Sequence, residues 1–209
     1  MSLVELSLKG FVDEVESSSP APGGGSVAAY AGAQGFALMA MVCRLTVGRE
    51  KFKAVKEEVS ALMQTAEKRM ETLLALVDED TQGFYGVMDA LGLPKSTEEE
   101  KAARREALEL ATIKAAEIPQ KTASLCLEGL EKIPVLLAKG NPNALSDLGV
   151  AALMLESGLE GALYNIQINA QGLKTEERAQ QFRSTVFQMR ADGKKLSLNI
   201  KEQVYKGLN

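Results

Sequence analysis

Between Phe52 and Leu91 the apolar residues fall at Phe52, Val55, Val59, Leu62, Ala66, Met70, Leu73, Val77, Phe84, Val87 and Leu91. Their three-and-four spacing is the period of an amphipathic α-helix, and the two-residue alternation of a half-buried strand cannot produce it. This run constrains the chain more than any other feature. Some forty residues of unbroken helix would measure about 60 Å, whereas a compact chain of 209 residues has a diameter of roughly 43 Å. Either the helix breaks, most naturally near Gly83 and Gly86, or the molecule is elongated and packs against another copy.

The rest of the chain follows the same period. A first helix is expected from Leu3 to Glu16, with Val4, Leu8, Phe11, Val12 and Val15 on one face. A second runs from Ser26, a candidate N-cap, to Val47. Within it Val27 to Cys43 is apolar, but it is short, interrupted by Gln34 and rich in Ala and Gly. It reads as a buried helix that neighbours approach closely, not as a membrane span. After Leu93-Pro94-Lys95, the segment Ser96-Thr97-Glu98-Glu99 supplies a capping box for a helix reaching Lys139, with a kink or fresh start at Pro119 and another kink at Pro134. Gly140-Asn141-Pro142-Asn143 is a turn. A buried helix from Ala144 to Gly172 and a Thr175-capped helix to Lys206 complete the chain. The expected fold is all-α: a single domain over residues 1–209 built as a bundle of about six mostly antiparallel helices.

Composition narrows the chemistry. The chain has no His, so it cannot itself supply a Ser-His-Asp or Cys-His system or a His-containing zinc site. Acid/base work falls to Asp, Glu, Lys, Tyr or Cys. With Lys+Arg 24 against Asp+Glu 28 there is no basic footprint for nucleic acid and no polybasic membrane signal, so a small-molecule or protein partner is expected. The two cysteines, Cys43 and Cys126, lie in apolar helical patterns and read as buried free thiols. Met1 to Glu5 lacks the basic start and apolar stretch of a secretion signal, which fits a cytoplasmic protein.

Four breaks in the pattern are candidates for function. Pro20-Ala21-Pro22-Gly23-Gly24-Gly25-Ser26 leads directly into a buried helix, an arrangement that serves either as a tight connection or as a ligand loop at a helix N-terminus. It lacks the Gly-x-x-x-x-Gly-Lys-Ser/Thr spacing of a nucleotide P-loop. Asp80 sits in the apolar stripe between Val77 and Phe84, where a carboxylate must be paired or change its pKa. Asp147 follows Asn143 and Ser146 at the start of an apolar helix, where one of the three is expected to cap; in the same helix Asn165 and Asn169 are four apart and share a face. Arg44, Arg49, Lys51 and Lys53 form a local excess of positive charge, either a solvated helix start or a site for a ligand bearing carboxylates.

These segments are also the ones that carry a resemblance. Pro20 to Ser26, the small-residue helix ending Met41-Val42-Cys43-Arg44-Leu45-Thr46-Val47-Gly48-Arg49-Glu50-Lys51-Phe52, then Asp80 to Phe84, Gly92-Leu93-Pro94-Lys95, Ile118-Pro119 and Gly140-Asn141-x-Asn143-x-x-Ser146-Asp147 together resemble the cyclodeaminase/cyclohydrolase family. That family includes the cyclodeaminase domain of formiminotransferase-cyclodeaminase and stand-alone methenyltetrahydrofolate cyclohydrolases. The resemblance implies the all-helical fold of the C-terminal domain of formiminotransferase-cyclodeaminase. It also implies a homodimer with sites near the subunit contact, and a tetrahydrofolate derivative, polyglutamylated or not, as substrate. No nucleotide, metal or cofactor beyond that folate is implied, and formimino transfer is not expected from these residues. On this reading Asp147 is the principal acid/base or water-orienting group and Asp80 a second carboxylate. Pro22, Gly23, Gly24, Gly25 and Ser26 shape the pterin or bridge pocket, Asn141, Asn143 and Ser146 also meet substrate, and Lys51 and Lys53 meet the glutamate tail. Cyclohydrolase is the favoured reaction, cyclodeaminase the alternative, and a non-catalytic folate- or protein-binding dimer the third reading.

Overall fold

The computed structural model describes residues 2–209; Met1, the first residue of the stretch read for a leader, lies outside them. Six α-helices carry the fold: α1 (Leu8–Glu16), α2 (Gly24–Val47), α3 (Lys56–Gly92), α4 (Glu98–Lys139), α5 (Leu145–Gly172) and α6 (Glu176–Leu208). Short 3-10 turns at Leu3–Glu5, Glu50–Val55 and Pro142–Ala144 join them, and no strand occurs among the described residues. The all-α expectation holds.

At 37 and 42 residues α3 and α4 are unbroken, about 55 and 63 Å long at 1.5 Å per residue. The bundle is therefore elongated, and neither Gly83 nor Gly86 interrupts it. Gly83 instead admits the Ile118 side chain of α4, which would lie 2.7 Å from a Cβ placed there. Pro119 and Pro134 both stay inside continuous α4.

The centre is an antiparallel pair, α2 and α5, in contact with α3, α4 and α6. Small residues set the approach of this pair: a Cβ on Gly158 would lie 2.8 Å from the Ala28 carbonyl, and one on Gly35 2.6 Å from Leu155. Such spacing brings backbones together and leaves Phe36, Met39, Leu155, Leu159, Leu163 and Ile166 fully buried around them. Among the described residues α2 alone has the length and mean hydropathy, 1.4, of a bilayer-crossing helix, and most of that stretch is buried inside the bundle.

Several element ends differ from the sequence reading. The first expected helix is split, because Ser7 Oγ accepts from the Gly10 N–H at 3.0 Å and starts α1 there. The preceding turn is held by Asp78, which accepts from Ser2 Oγ and the Leu3 N–H, each at 2.6 Å. No residue of α1 is buried; Leu8 and Val12 are 73% and 62% exposed, so the expected core face is largely open. Gly23, not Ser26, is the N-cap of α2. Phe52 and Val55 precede α3. The α4 capping box is formed by Thr97 and Glu100, one residue further along than expected. The Thr175 side chain makes no cap to α6; instead the N–H groups of Lys174 and Thr175 donate to Glu109 at 2.9 Å.

Both cysteines are buried and free. Burial pushes each thiol up to about 12, in Cys43 against the opposing pull of Arg44. Neither is a nucleophile near neutrality.

Candidate active site

The N-terminus of α2 packs against the middle of α3, and the two meet at Ser26. Its hydroxyl donates to the Val77 carbonyl at 2.8 Å and lies 3.3 Å from both Asp80 Oδ2 and Thr81 Oγ1. Gly25 makes this approach possible, since a Cβ there would overlap the Asp80 carboxylate. Gly24 is different: its nearest neighbour, Asn165 Nδ2, would be at an ordinary contact distance of 3.5 Å. The run of three glycines thus contains one position where a side chain is sterically forbidden by the site itself.

Asp80 lies on one wall of a cleft of about 340 Å³. The loop contributes Pro20, Ala21 and Gly23 to Gly25; α3 contributes Asp80, Phe84 and Val87; Ala115 comes from α4, and Asn165, Ile168 and Asn169 from α5. Apolar walls with a few convergent polar groups are the usual character of a small-molecule site. Burial pushes the Asp80 carboxyl above its ordinary value of 3.8, and the Ser26 hydroxyl and N–H pull it part of the way back. None of the ion pairs among the described residues includes Asp80. It is a half-buried carboxylate without a basic partner, at the positive end of a helix dipole and facing a cavity.

The amides of α5 are held in fixed orientations. Asn165 Nδ2 donates to the Gly161 carbonyl at 2.8 Å, and Asn169 Nδ2 donates to the Ala115 carbonyl of α4 at 2.9 Å. Their shared helical face was visible in the sequence, but their place beside Asp80 was not. Phe84 and Val87 continue the three-and-four spacing from Asp80, a signal that could have found them.

Within one chain the expected site residues form two groups. Gly23, Gly24, Gly25 and Asp80 line the cleft, and Pro22 and Ser26 are buried beside it. Lys51, Lys53, Asn141, Asn143, Ser146 and Asp147 lie at the opposite end of α2. The link there is Asn141, whose N–H donates to Thr46 Oγ1 at 2.9 Å. Twenty residues of α2 separate Ser26 from Thr46, about 30 Å at 1.5 Å per residue. Asn141 is buried and committed: its Nδ2 donates to the Leu45 carbonyl and its Oδ1 accepts from the Asn143 N–H. It therefore caps the 3-10 turn, which corrects the assignment of capping to Asn143, Ser146 or Asp147. Asn143 and Ser146 are exposed. Lys51 lies over the Phe52 ring, Lys53 pairs with Glu50, and Arg44 pairs with Glu67 across to α3.

Comparison with known proteins places this architecture. The sequence profile of formiminotransferase-cyclodeaminase matches residues 7–188, most of the chain. The protein belongs to that family. It is 36% identical over 198 residues to the methenyltetrahydrofolate cyclohydrolase of Methylorubrum extorquens, a match covering 93% of this chain and 95% of the relative. It is 40% identical over 168 residues to the formimidoyltransferase-cyclodeaminase of Mus musculus, covering 80% of this chain and 31% of that longer protein. The crystal structure of formiminotetrahydrofolate cyclodeaminase from Thermotoga maritima superposes with a TM-score of 0.87 over 98% of both chains at 26% identity.

Proposed function

We propose that this protein is a folate-dependent one-carbon enzyme that hydrolyses the methenyl bridge of methenyltetrahydrofolate to 10-formyltetrahydrofolate. The observation that carries the reading is Asp80: a carboxylate raised by burial, with no basic side chain paired to it among the described residues, facing a cleft. Such a site lacks a positive charge, and a delocalised methenyl cation supplies one. The relative named as a cyclohydrolase, 36% identical over nearly the whole chain, supports hydrolysis.

The chemistry follows from that placement. Water adds to the cationic bridge carbon and gives a proton to Asp80, leaving a neutral tetrahedral carbon. The bond from that carbon to the 5-nitrogen then breaks as Asp80 returns its proton to this nitrogen, the hydroxyl on the carbon gives up its own proton to solvent, and the formyl group so formed stays on the 10-nitrogen. A carboxyl raised above its ordinary value by burial suits both transfers. Gly23, Gly24, Gly25, Ser26 and Pro22 shape the pocket. No cofactor beyond the folate is needed, and a reducing cytoplasm suits two free thiols.

The active form in this proposal is a homodimer. α5 keeps an outer stripe of Val150, Leu153, Tyr164 and Ile168, between 44% and 64% exposed, and α2 adds Val27 and Leu45. Apolar stripes of this length on an elongated molecule favour a second copy. Because α2 and α5 are antiparallel, a two-fold axis across them would set each copy's Asn143–Asp147 end over the other's Asp80 cleft. The partner subunit's Asp147 would then orient water, and the partner subunit's Lys51 and Lys53 would meet the glutamate tail.

The cyclodeaminase reading is supported by the Thermotoga neighbour and the mouse relative. In that reaction the 10-nitrogen attacks a 5-formimino carbon and ammonia leaves. A paired absorbance assay decides, following loss of methenyltetrahydrofolate in one cell and its formation from 5-formiminotetrahydrofolate in the other. Accelerated loss alone supports the hydrolase; accelerated formation with ammonia release replaces it by the cyclodeaminase; silence in both leaves a binding protein.

A further inference from the structure

Pro119 lies inside continuous α4 and has no N–H, so the carbonyl four residues before it, that of Ala115, has lost its helical donor. A buried carbonyl without a partner is unfavourable, and Ala115 is buried. The missing donor comes from another helix: Asn169 Nδ2 reaches the Ala115 carbonyl at 2.9 Å. This contact engages one of the amide's two N–H groups and leaves its Oδ1 without a partner among the described residues. Asn165 is held in the same sense by the Gly161 carbonyl at 2.8 Å. Both oxygens are accessible, and both residues line the cleft.

The polar side chains of the cleft are Asp80, Asn165 and Asn169, and each presents oxygen acceptors. Donors on a ligand match these unpartnered oxygens, and a flat ligand fits between Phe84, Val87 and Ile168. We propose that Asn165 and Asn169 are specificity residues that accept hydrogen bonds from the N3–H and 2-amino group of a pterin ring, and that Pro119 is the positioning residue that fixes Asn169 as an acceptor. This rests on the folate reading above and deepens it. Four residues apart, the two amides share one helix face and both line the cleft, so one planar ligand reaches both oxygens. Held by that edge, the pterin turns its 5-nitrogen toward Asp80. Replacing Pro119 by a residue with an N–H returns a donor to Ala115, frees the Asn169 amide and loosens the reading head without emptying the core.

The test compares binding of tetrahydrofolate and its 2-desamino analogue by calorimetry, with kcat and KM for the substrate, in the wild type and in Asn165→Ala, Asn169→Ala, Pro119→Ala and the double variant Pro119→Ala/Asn169→Ala. The wild type should prefer tetrahydrofolate by about 10- to 100-fold, the scale of one buried hydrogen bond left unmade. Asn169→Ala and Asn165→Ala should each lose most of that preference, with KM raised more than kcat is lowered. Pro119→Ala should lose part of it with no fall in Tm. The double variant should regain the Tm lost in Asn169→Ala but not the preference, which separates recognition from a merely structural role. Full retention of the preference in both Asn variants overturns the proposal while leaving the folate reading intact. A wild type that binds neither compound overturns both.

Discussion

Each end of α2 buries one hydroxyl residue, Ser26 or Thr46, and the two ends do different things. At its N-terminus Ser26 ties α2 to α3, and the carboxylate of Asp80, two amides and three glycines surround an open cleft. At its C-terminus Thr46 receives the Asn141 N–H and donates to the Val42 carbonyl, and Asn141 in turn uses both its side-chain nitrogen and its side-chain oxygen to close the turn between α4 and α5. Both ends place polar groups where a helix pattern breaks. Only the first gathers a half-buried carboxylate and two amides around one cavity, and a binding site needs such convergent polar groups. The second is a clamp in one chain, with Asn143 and Ser146 turned to solvent.

The largest effect expected from this contrast is at Asp80. Asp80→Asn should lower turnover by about 10²–10⁴-fold with the helical fold intact, measured in the absorbance assay alongside circular dichroism. An active Asn variant would remove the first end's claim to the chemistry. The same variant has a pH signature. Because Asp80 is raised above 3.8, the folded protein keeps its proton to higher pH than the unfolded chain does. Its contribution to stability is therefore fullest below the ordinary value and is lost as pH rises through the raised one. Asp80→Asn should thus melt at a temperature equal to or above the wild type near neutral pH, and this relative gain should shrink below pH 4.

Next in size is the pair of glycines. Gly25→Ala drives a Cβ into the Asp80 carboxylate and should cost about 10²-fold in turnover, the effect of displacing a reacting group by an ångström. Gly24→Ala, with its nearest neighbour at contact distance, should keep the fold and most of the activity. Equal losses at the two positions would show that the loop, not the Asp80 contact, sets the glycine requirement.

The dimer tests whether the two ends cooperate. Leu153→Arg, on the outer stripe of α5 and not part of the chain's own Asp80 cleft, should give a monomer by light scattering and lower turnover by roughly tenfold or more, as expected when a two-fold contact completes a site. A fully active monomer would separate the ends for good. A smaller effect is expected at the clamp: Asn141→Ala leaves buried groups unpaired and should destabilise by about 1–3 kcal/mol, read as a fall in Tm. The smallest is at the thiols. Cys43 and Cys126, both raised to about 12, should resist a thiol reagent at pH 8 in the native protein and react on unfolding.

Much of the fold was legible because helices are local. The three-and-four spacing of α3, the Thr97 region as a helix start and the small residues of α2 all depend on neighbours within a few positions, so they can be read from the chain. Asp80 was conspicuous for the same reason, as a charge in an apolar stripe. Two of the element ends that differ depend on distant partners: Asp78 holds the first turn, and Glu109 takes the N–H groups ahead of α6.

The sequence by itself determined an all-α chain, the absence of histidine chemistry, two inert thiols and the residues that carry the family resemblance. Tertiary structure decided which polar residues share a site. The contact between Ser26 and Asp80 and the contact between Asn169 and Ala115 each join residues 54 apart in the chain. Periodicity tells which face of its own helix a residue occupies, but not which other helix packs against that face. The packing of α2 against α3 and of α5 against α4 brought Asp80, Asn165 and Asn169 around one cleft. The length of α2 kept Asp147 of the same chain at the other end.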